Sequence, residues 1–383
     1  MRVLHKLRSS LGFYLKHTDT PLLLLCLAAS VYSCLLIYSV AVTAESGARL
    51  YLMQIAASSL GLILAVILSK IDYEDIVKLW PVWAGIALVL VLLTFTPLGV
   101  NVVGTDDTAW LSIFGVTVQP AELLKIAFII TFSKHLSVVK AHINRLTTVL
   151  LLCLHGGLAA GLIFLQGDDG TALVFLCIFV CMLFASGLRA LYFLIAGAAG
   201  VCAVPLVFLL LDDQKLGRIL ALIHPDQYLE SEGWQQALGL SAMGTGQLWG
   251  VGYMQGGDHM LFSRESDFIF TAAAEEFGFI GGLLLLCILL AIVLCILRDA
   301  RHARDYTGTM LCTGVMGLIG FQTLINLGMV LRLLPVVGIT LPFFSAGASS
   351  VGSLYLGIGL VLSVRYSSST RNLSNSSTLR RWR

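Results

Sequence analysis

The sequence predicts an all-α integral membrane protein: a bundle of about ten transmembrane helices with one large extracytoplasmic loop between the seventh and eighth. Three observations predict it. Of 383 residues, 57% are hydrophobic and only 12% charged, with a mean hydropathy of +0.90, whereas soluble domains carry about 25% charged residues. Ten apolar runs approach or exceed the roughly 20 residues that cross a ~30 Å hydrocarbon core: 21–43, 50–69, 79–99, 118–134, 146–165, 171–187, 190–211, 268–297, 307–331 and 345–365. A barrel would show short alternating segments instead, so helices, which pair their own backbone amides, are the expected element.

Orientation follows from Lys and Arg. An even number of spans leaves both termini on one side. Eighteen of the 24 basic residues fall there, while Arg49, Lys215, Arg218, Arg264 and Arg332 fall opposite and Lys125 lies within a span. Both termini are therefore expected in the cytoplasm. Residues 1–366 read as one polytopic domain with its outer loop at 212–267, and the Ser/Asn/Arg-rich 367–383 as a disordered cytoplasmic tail. The basic amphipathic stretch Leu4 to Tyr14 lacks a cleavage pattern and reads as an interfacial helix or cytoplasmic tail. A net charge of +2 points to no nucleic acid partner. All nine cysteines lie in apolar runs, so neither an outer disulfide nor a metal spacing is expected.

Ionisable groups inside spans are expensive and mark either function or a buried pair. Glu122 and Lys125 follow Gln119-Pro120 and share a helix face at i, i+3. They read as an ion pair that lets a short helix enter the membrane, or as a cation lining a cavity open to the outer surface. Asp168, in Gln166-Gly167-Asp168-Asp169-Gly170-Thr171, stands where a carboxylate caps the next helix. The outer loop carries Arg218, His224-Pro225-Asp226, Gly233-Trp234-Gln235-Gln236 and the Gly-rich stretch Gly244 to Gly252. That stretch has no preceding strand and no Lys-Ser/Thr, so it is no nucleotide loop. It reads as ordinary turns, or as a segment bending around a sugar or lipid head group.

The loop ends in Ser266-Asp267-Phe268-Ile269-Phe270, a carboxylate at the mouth of the eighth run. Glu275 and Glu276, about two turns inside it, need partners, and Lys125 and Arg332 are the nearest cations by depth. Asn326-Leu327-Gly328-Met329, Leu333-Leu334-Pro335 and Leu341-Pro342-Phe343-Phe344-Ser345-Ala346-Gly347 place prolines and glycines between the last two spans. Such a segment fits a cavity-lining or re-entrant structure, or a kinked loop.

Taken in order from about Asp72 to Val364, these motifs resemble the SEDS family of shape, elongation, division and sporulation proteins. Gln119 to Lys125 is similar to the family's Gln-Pro-Ser-Glu-x-x-Lys, with Ala121 departing. Gln166 to Thr171 is similar to Gln-Pro-Asp-Leu-Gly-Thr, with Gly167 and Asp169 departing. Glu265 to Phe270 followed by Glu275-Glu276-Phe277-Gly278 is similar to His-Thr-Asp-Phe-Ile-Phe followed by Glu-Glu-x-Gly. Asn326 to Ser350 resembles the family's last motif, with Arg332 for Gly, Val337 for Thr, Thr340 for Pro, Ala346 for Tyr and Ala348 for Gly. Of the family's Arg-Trp before the Gln-Pro motif, Trp110 is kept and Ala109 replaces the arginine.

The resemblance implies a divergent peptidoglycan glycosyltransferase of the bacterial cytoplasmic membrane that polymerises lipid II at the outer face. A class B penicillin-binding protein is the implied transpeptidase partner, and the family's essential loop aspartate maps onto Asp267. A hydroxyl that attacks an anomeric carbon must lose a proton, and Asp267 is the natural general base. The departing pyrophosphate needs positive charge: Lys125 is the first candidate, then Arg218 and Arg332. Trp110, Glu122 and Asp168 complete the substrate-binding set, with Glu275, Glu276 and Ser345 as support. No cofactor is certain; a divalent cation, Mg or Mn, is a candidate near Asp168, without a dedicated ligand set. A flippase of the same precursor and a non-catalytic scaffold for the transpeptidase are the alternatives.

Overall fold

The computed structural model describes residues 12–41, 47–101, 108–113, 116–228, 231, 233–257 and 261–380. Among the described residues the regular elements are helices, apart from one small sheet. Helices α1 Thr20–Ala41, α2 Gly47–Leu68, α3 Tyr73–Lys78 and α4 Trp80–Leu93 come first. Strands β1 Gly99–Val100, β2 Trp110–Ile113 and β3 Val116–Val118 follow, antiparallel in that order. Then come α5 Pro120–Val139, α6 Leu146–Phe164, α7 Asp169–Ala185, α8 Ala190–Leu210, α9 Asp213–Ile223 and α10 Trp234–Gly246. The chain closes with α11 Ile269–Glu276, α12 Gly278–Arg301, α13 Tyr306–Val330 and α14 Ala348–Arg380.

Among the described residues six helices, α1, α2, α6, α12, α13 and α14, are long and apolar enough to cross a membrane, and α4, α7 and α8 are shorter apolar helices. Their faces are apolar on nearly all sides, as lipid-facing helices must be. The most deeply buried are α13 and α14: α13 packs on α5, α7 and α12, and α14 on α2. Small residues set the closest contacts. A Cβ on Gly61 would come within 2.5 Å of the Tyr355 ring, whose hydroxyl bonds the Ser30 Oγ at 2.6 Å.

Two features differ from the sequence expectation. The third run stops being helical at Leu93, where the Thr94 hydroxyl turns back on the Val91 carbonyl (2.8 Å) and Pro97 follows. Its remainder feeds the small sheet. The eighth run is two helices, broken where Gly278 takes φ +69°. A Cβ there would lie 2.4 Å from the Gly250 nitrogen.

The Gly-rich stretch lies along α11. Val251 N donates to Glu275 O (3.0 Å) and Gly252 N to Glu276 O (3.2 Å). A Cβ on Gly246 or Gly250 would lie 2.1 Å from the Ala274 or Glu276 carbonyl oxygen. These glycines therefore permit backbone-on-backbone packing.

Helix α14 runs on as far as Arg380. Ser367 and Ser368 are buried, and Arg371 donates to Asp72 Oδ2 (2.9 Å) and Glu74 Oε1 (3.1 Å). Most of the stretch Leu4 to Tyr14, together with Asp106, Asp107 and Asp258, lies outside the described residues.

Candidate functional site

Three segments converge on Asp267: the turn 263–268 leading into α11, the irregular segment 331–347, and the N-terminus of α7. The turn is tight. Ser263 takes φ +56°, and its carbonyl accepts from Ser266 N (3.1 Å) and Phe268 N (3.2 Å). The irregular segment is stitched onto it by three residues. Asn326 uses both amide hydrogens, donating to Asp267 O (2.8 Å) and Ile339 O (2.6 Å). Ser345 Oγ donates to Ser266 O (2.5 Å) and accepts from Leu341 N (2.6 Å). Ala346 N donates to Glu265 O (2.8 Å).

The carboxylate thus held faces the turn at Val337-Gly338, where a Cβ on Gly338 would lie 3.8 Å from Asp267 Oδ2. Asp267 is half-buried. Loss of water pushes its carboxyl up to about 6, a bond from Ser266 opposing and the charges of Glu265 and Asp168 adding.

Asp168 approaches the same turn from the other side. Pro120 opens α5, and Gln119 precedes it in extended conformation without capping it. Its side-chain amide is free to donate to Asp168 Oδ2 (2.7 Å). The other carboxylate oxygen caps α7 by accepting from Thr171 N (2.8 Å). Burial pushes the Asp168 carboxyl upward, and the Thr171 bonds and the Lys125 charge oppose it. Gly170 packs so closely that a Cβ would sit 2.2 Å from Val337 O. Asp168 and Asp267 therefore flank one turn of chain.

Glu122 and Lys125 lie beneath this turn, both buried. Lys125 Nζ donates to Glu122 Oε1 (2.9 Å) and Gln322 Oε1 (3.4 Å). Gln322 Nε2 passes the chain on to Thr340 O (3.0 Å) and Oγ1 (2.9 Å). Glu122 Oε2 accepts from Ser353 Oγ (2.6 Å). The pair is a buried junction of α5, α13, α14 and the irregular segment, and Lys125 is not turned toward open solvent.

Arg218 on α9 donates to Val336 O (3.4 Å), two residues from Gly338, which is at most about 7 Å of chain. Lys215 on the same helix pairs with Asp169 Oδ2 (2.6 Å). Arg332 takes φ +60°, uncommon for a side-chain-bearing residue, and its Nη2 lies 3.5 Å from Pro225 O.

Glu275 and Glu276 meet neither Lys125 nor Arg332 among the contacts described. Glu275 accepts from Arg264 Nη2 (2.5 Å) and Gly257 N (2.8 Å). Glu276 accepts from Ser39 Oγ (2.6 Å) and Met254 N (3.3 Å). Depth along the helix does not report their partners, because Met254, Gly257 and Arg264 fold back over α11 and Ser39 reaches in from α1. Trp110 sits half-buried on β2, paired with Val100, and no described hydrogen bond ties its side chain to the Asp267 cluster.

Both Asp168 oxygens are engaged, and among the described residues no three His, Cys, Asp or Glu side chains converge as a metal site. Sequence reasoning missed Gln322 and Ser353, buried polar residues within apolar runs. The rule that flagged Glu122 and Lys125 flags them too when extended to uncharged side chains.

A family model described as cell cycle protein, covering FtsW, RodA and SpoVE, matches residues 19–370. The chain is 32% identical over 323 residues to stage V sporulation protein E of Bacillus subtilis, covering 82% of this chain and 86% of that protein. It is 29% identical over 359 residues to the peptidoglycan glycosyltransferase MrdB of Escherichia coli, covering 91% and 93%. Among solved structures, it matches a chain from work on a peptidoglycan synthase complex that coordinates polymerization and crosslinking, at TM-score 0.79 and 27% identity over 92% of this chain and 98% of that one. It also matches the rod shape determining protein RodA of Thermus thermophilus at TM-score 0.67 and 28% identity, over 91% and 96%.

Proposed function

The chain belongs to the family of the cell cycle proteins FtsW, RodA and SpoVE, and on that premise we propose how it works as a peptidoglycan glycosyltransferase. It is a multi-pass inner-membrane enzyme that joins lipid II disaccharides into glycan strands and releases undecaprenyl pyrophosphate. We read its helices as ten crossings: α1, α2, α4, α5, α6, α7, α8, α11 with α12, α13 and α14. The Lys and Arg asymmetry supports cytoplasmic termini, with 212–267 on the outer face.

Asp267 is the general base. The acceptor 4-hydroxyl attacks the anomeric carbon of the donor, and its proton passes to the Asp267 carboxylate. The bond to the pyrophosphate oxygen breaks, so a single displacement turns an α-linked donor into a β-linked product. A positioned base contributes typically ~10²–10⁴-fold. The observation that carries this role is the carboxylate facing Gly338, with backbone clamps on both sides and a carboxyl raised to about 6. A base raised toward neutrality accepts a proton more readily than an ordinary aspartate.

Arg218 neutralises the departing pyrophosphate. It lies on the outer side beside the same turn, whereas the burial of Lys125 makes that residue a support for the turn. No step is routed through a divalent cation. The likeness to a chain of a peptidoglycan synthase complex supports a class B penicillin-binding protein as transpeptidase partner.

Purified protein with labelled lipid II in vesicles, with and without a co-purified transpeptidase, tests the reading. Chain growth supports it; movement of lipid II across the bilayer without growth indicates a transporter; neither indicates a scaffold.

A further inference from the structure

Helix α2 carries a glutamine among apolar neighbours, Leu52-Met53-Gln54-Ile55-Ala56, and no step of the proposed reaction uses it. Gln54 is buried, and a buried amide in a span is costly unless its hydrogens find acceptors. One Nε2 hydrogen goes to Ser33 Oγ on α1 (3.0 Å), and Ser345 O lies 3.5 Å from the same nitrogen. The Ser33 hydroxyl, having accepted from Gln54, donates to Phe344 O (2.9 Å). Two side chains of the first two helices thus hold the carbonyls of two successive residues in the irregular segment.

Polar residues that only join one helix to another end their bonds on those helices. These bonds end instead beside a strained residue. Phe343 takes φ +67°, a conformation rare for an aromatic side chain and sustained only where the surroundings over-determine it. The Phe343 ring stands edge-on to Tyr355 (centroids 5.5 Å apart), and that of Phe344 edge-on to Tyr32 (5.7 Å). Directly after this turn comes Ser345, whose hydroxyl donates to Ser266 O and accepts from Leu341 N. Ser266 precedes Asp267. A continuous path therefore runs from the Gln54 amide through the Ser345 main chain and hydroxyl to the Ser266 carbonyl and the next residue, Asp267.

We propose that Gln54, acting with Ser33, is a positioning residue for Asp267. The pair holds Phe344 and Ser345 in the strained turn, so that Ser345 grips Ser266 and fixes where the carboxylate points. The inference rests on the polymerase reading for the role of Asp267, while the hold on the turn rests on the hydrogen bonds alone.

Two measurements on the purified full-length protein test it: steady-state polymerisation of labelled lipid II per folded molecule, and amide hydrogen exchange across 263–268 and 341–346. Gln54→Met keeps the length of the side chain and removes its donors. It should lower kcat about tenfold at unchanged KM, since the substrate still binds but the base is misplaced. Exchange at the Leu341 and Ala346 amides, which bond Ser345 Oγ and Glu265 O, should speed up in the same variant. Added to Ser345→Ala, which already cuts the path, Gln54→Met should cost less than about twofold more in kcat. Ser33→Ala removes only the bond to Phe344 and should give a smaller loss in the same direction, a second reading if Gln54→Met melts early. Wild-type kcat or wild-type exchange in folded variants, or losses that multiply in full with Ser345→Ala, would overturn the inference. Faster exchange in Gln54→Met, from a chain whose wild type makes no polymer, would uphold the hold on the turn and overturn the polymerase reading alone.

Discussion

Replacing Lys125 by Met breaks a buried ion pair whose side chains are 2% and 7% exposed. Glu122 keeps its bond from Ser353 but loses its counter-charge, and stranding one member of such a pair costs about 3–5 kcal/mol. The loss also unhooks Gln322, which ties Lys125 to Thr340 in the segment facing Asp267. Lys125→Met should therefore lower both the yield of folded protein and its polymerisation. The double variant Lys125→Met with Glu122→Gln removes both charges, and exchanging a whole buried pair for neutral groups is often close to neutral. It should recover most of the stability and polymerise within about tenfold of wild type. The assay is detergent thermal melting followed by polymer formation per folded molecule. A double variant that melts like wild type but makes no polymer would refute the supporting role and place Lys125 on the substrate.

The remaining predictions follow from the same geometry. Polymerisation should fall as pH drops through about 6, where Asp267 takes up a proton. Glu265→Gln removes a charge that raises that carboxyl, so the acid limb should move to lower pH; a fixed limb would assign it to another group. Asn326→Leu leaves the Asp267 and Ile339 carbonyls without this donor at about 1–3 kcal/mol each. It should reduce kcat far more than KM, and an unchanged kcat would remove the clamp from the account. Glu275→Gln weakens the bonds from Arg264 and Gly257, so limited proteolysis should cut 253–264 faster; wild-type resistance would count against Glu275 as the loop's anchor.

The helical membrane fold was legible in the sequence because the apolar runs are long and lipid admits few alternatives to a helix. The sequence drew attention to Asp267 as a carboxylate beside an apolar run, and the structure gathers the turn 263–268 and the segment 331–347 around it. Pairings were the least legible. Glu275 and Glu276 find Arg264, Ser39 and loop amides, partners set by how the Gly-rich stretch lies on α11, which no periodicity reports. Gln322 and Ser353 carry no charge and so hide in an apolar run. Lys125 announced itself as a cation near the site, but only the packing of α5 against α13 reveals that it faces inward. The break at Gly278 was concealed because both halves of the eighth run are apolar.

The most direct measurement is glycan chain length from labelled lipid II with the Asp267→Asn protein, purified with its transpeptidase and shown to melt like wild type. Asparagine keeps the shape and cannot take the hydroxyl proton, so the account predicts no polymer. Strands of wild-type length from that folded variant would contradict it.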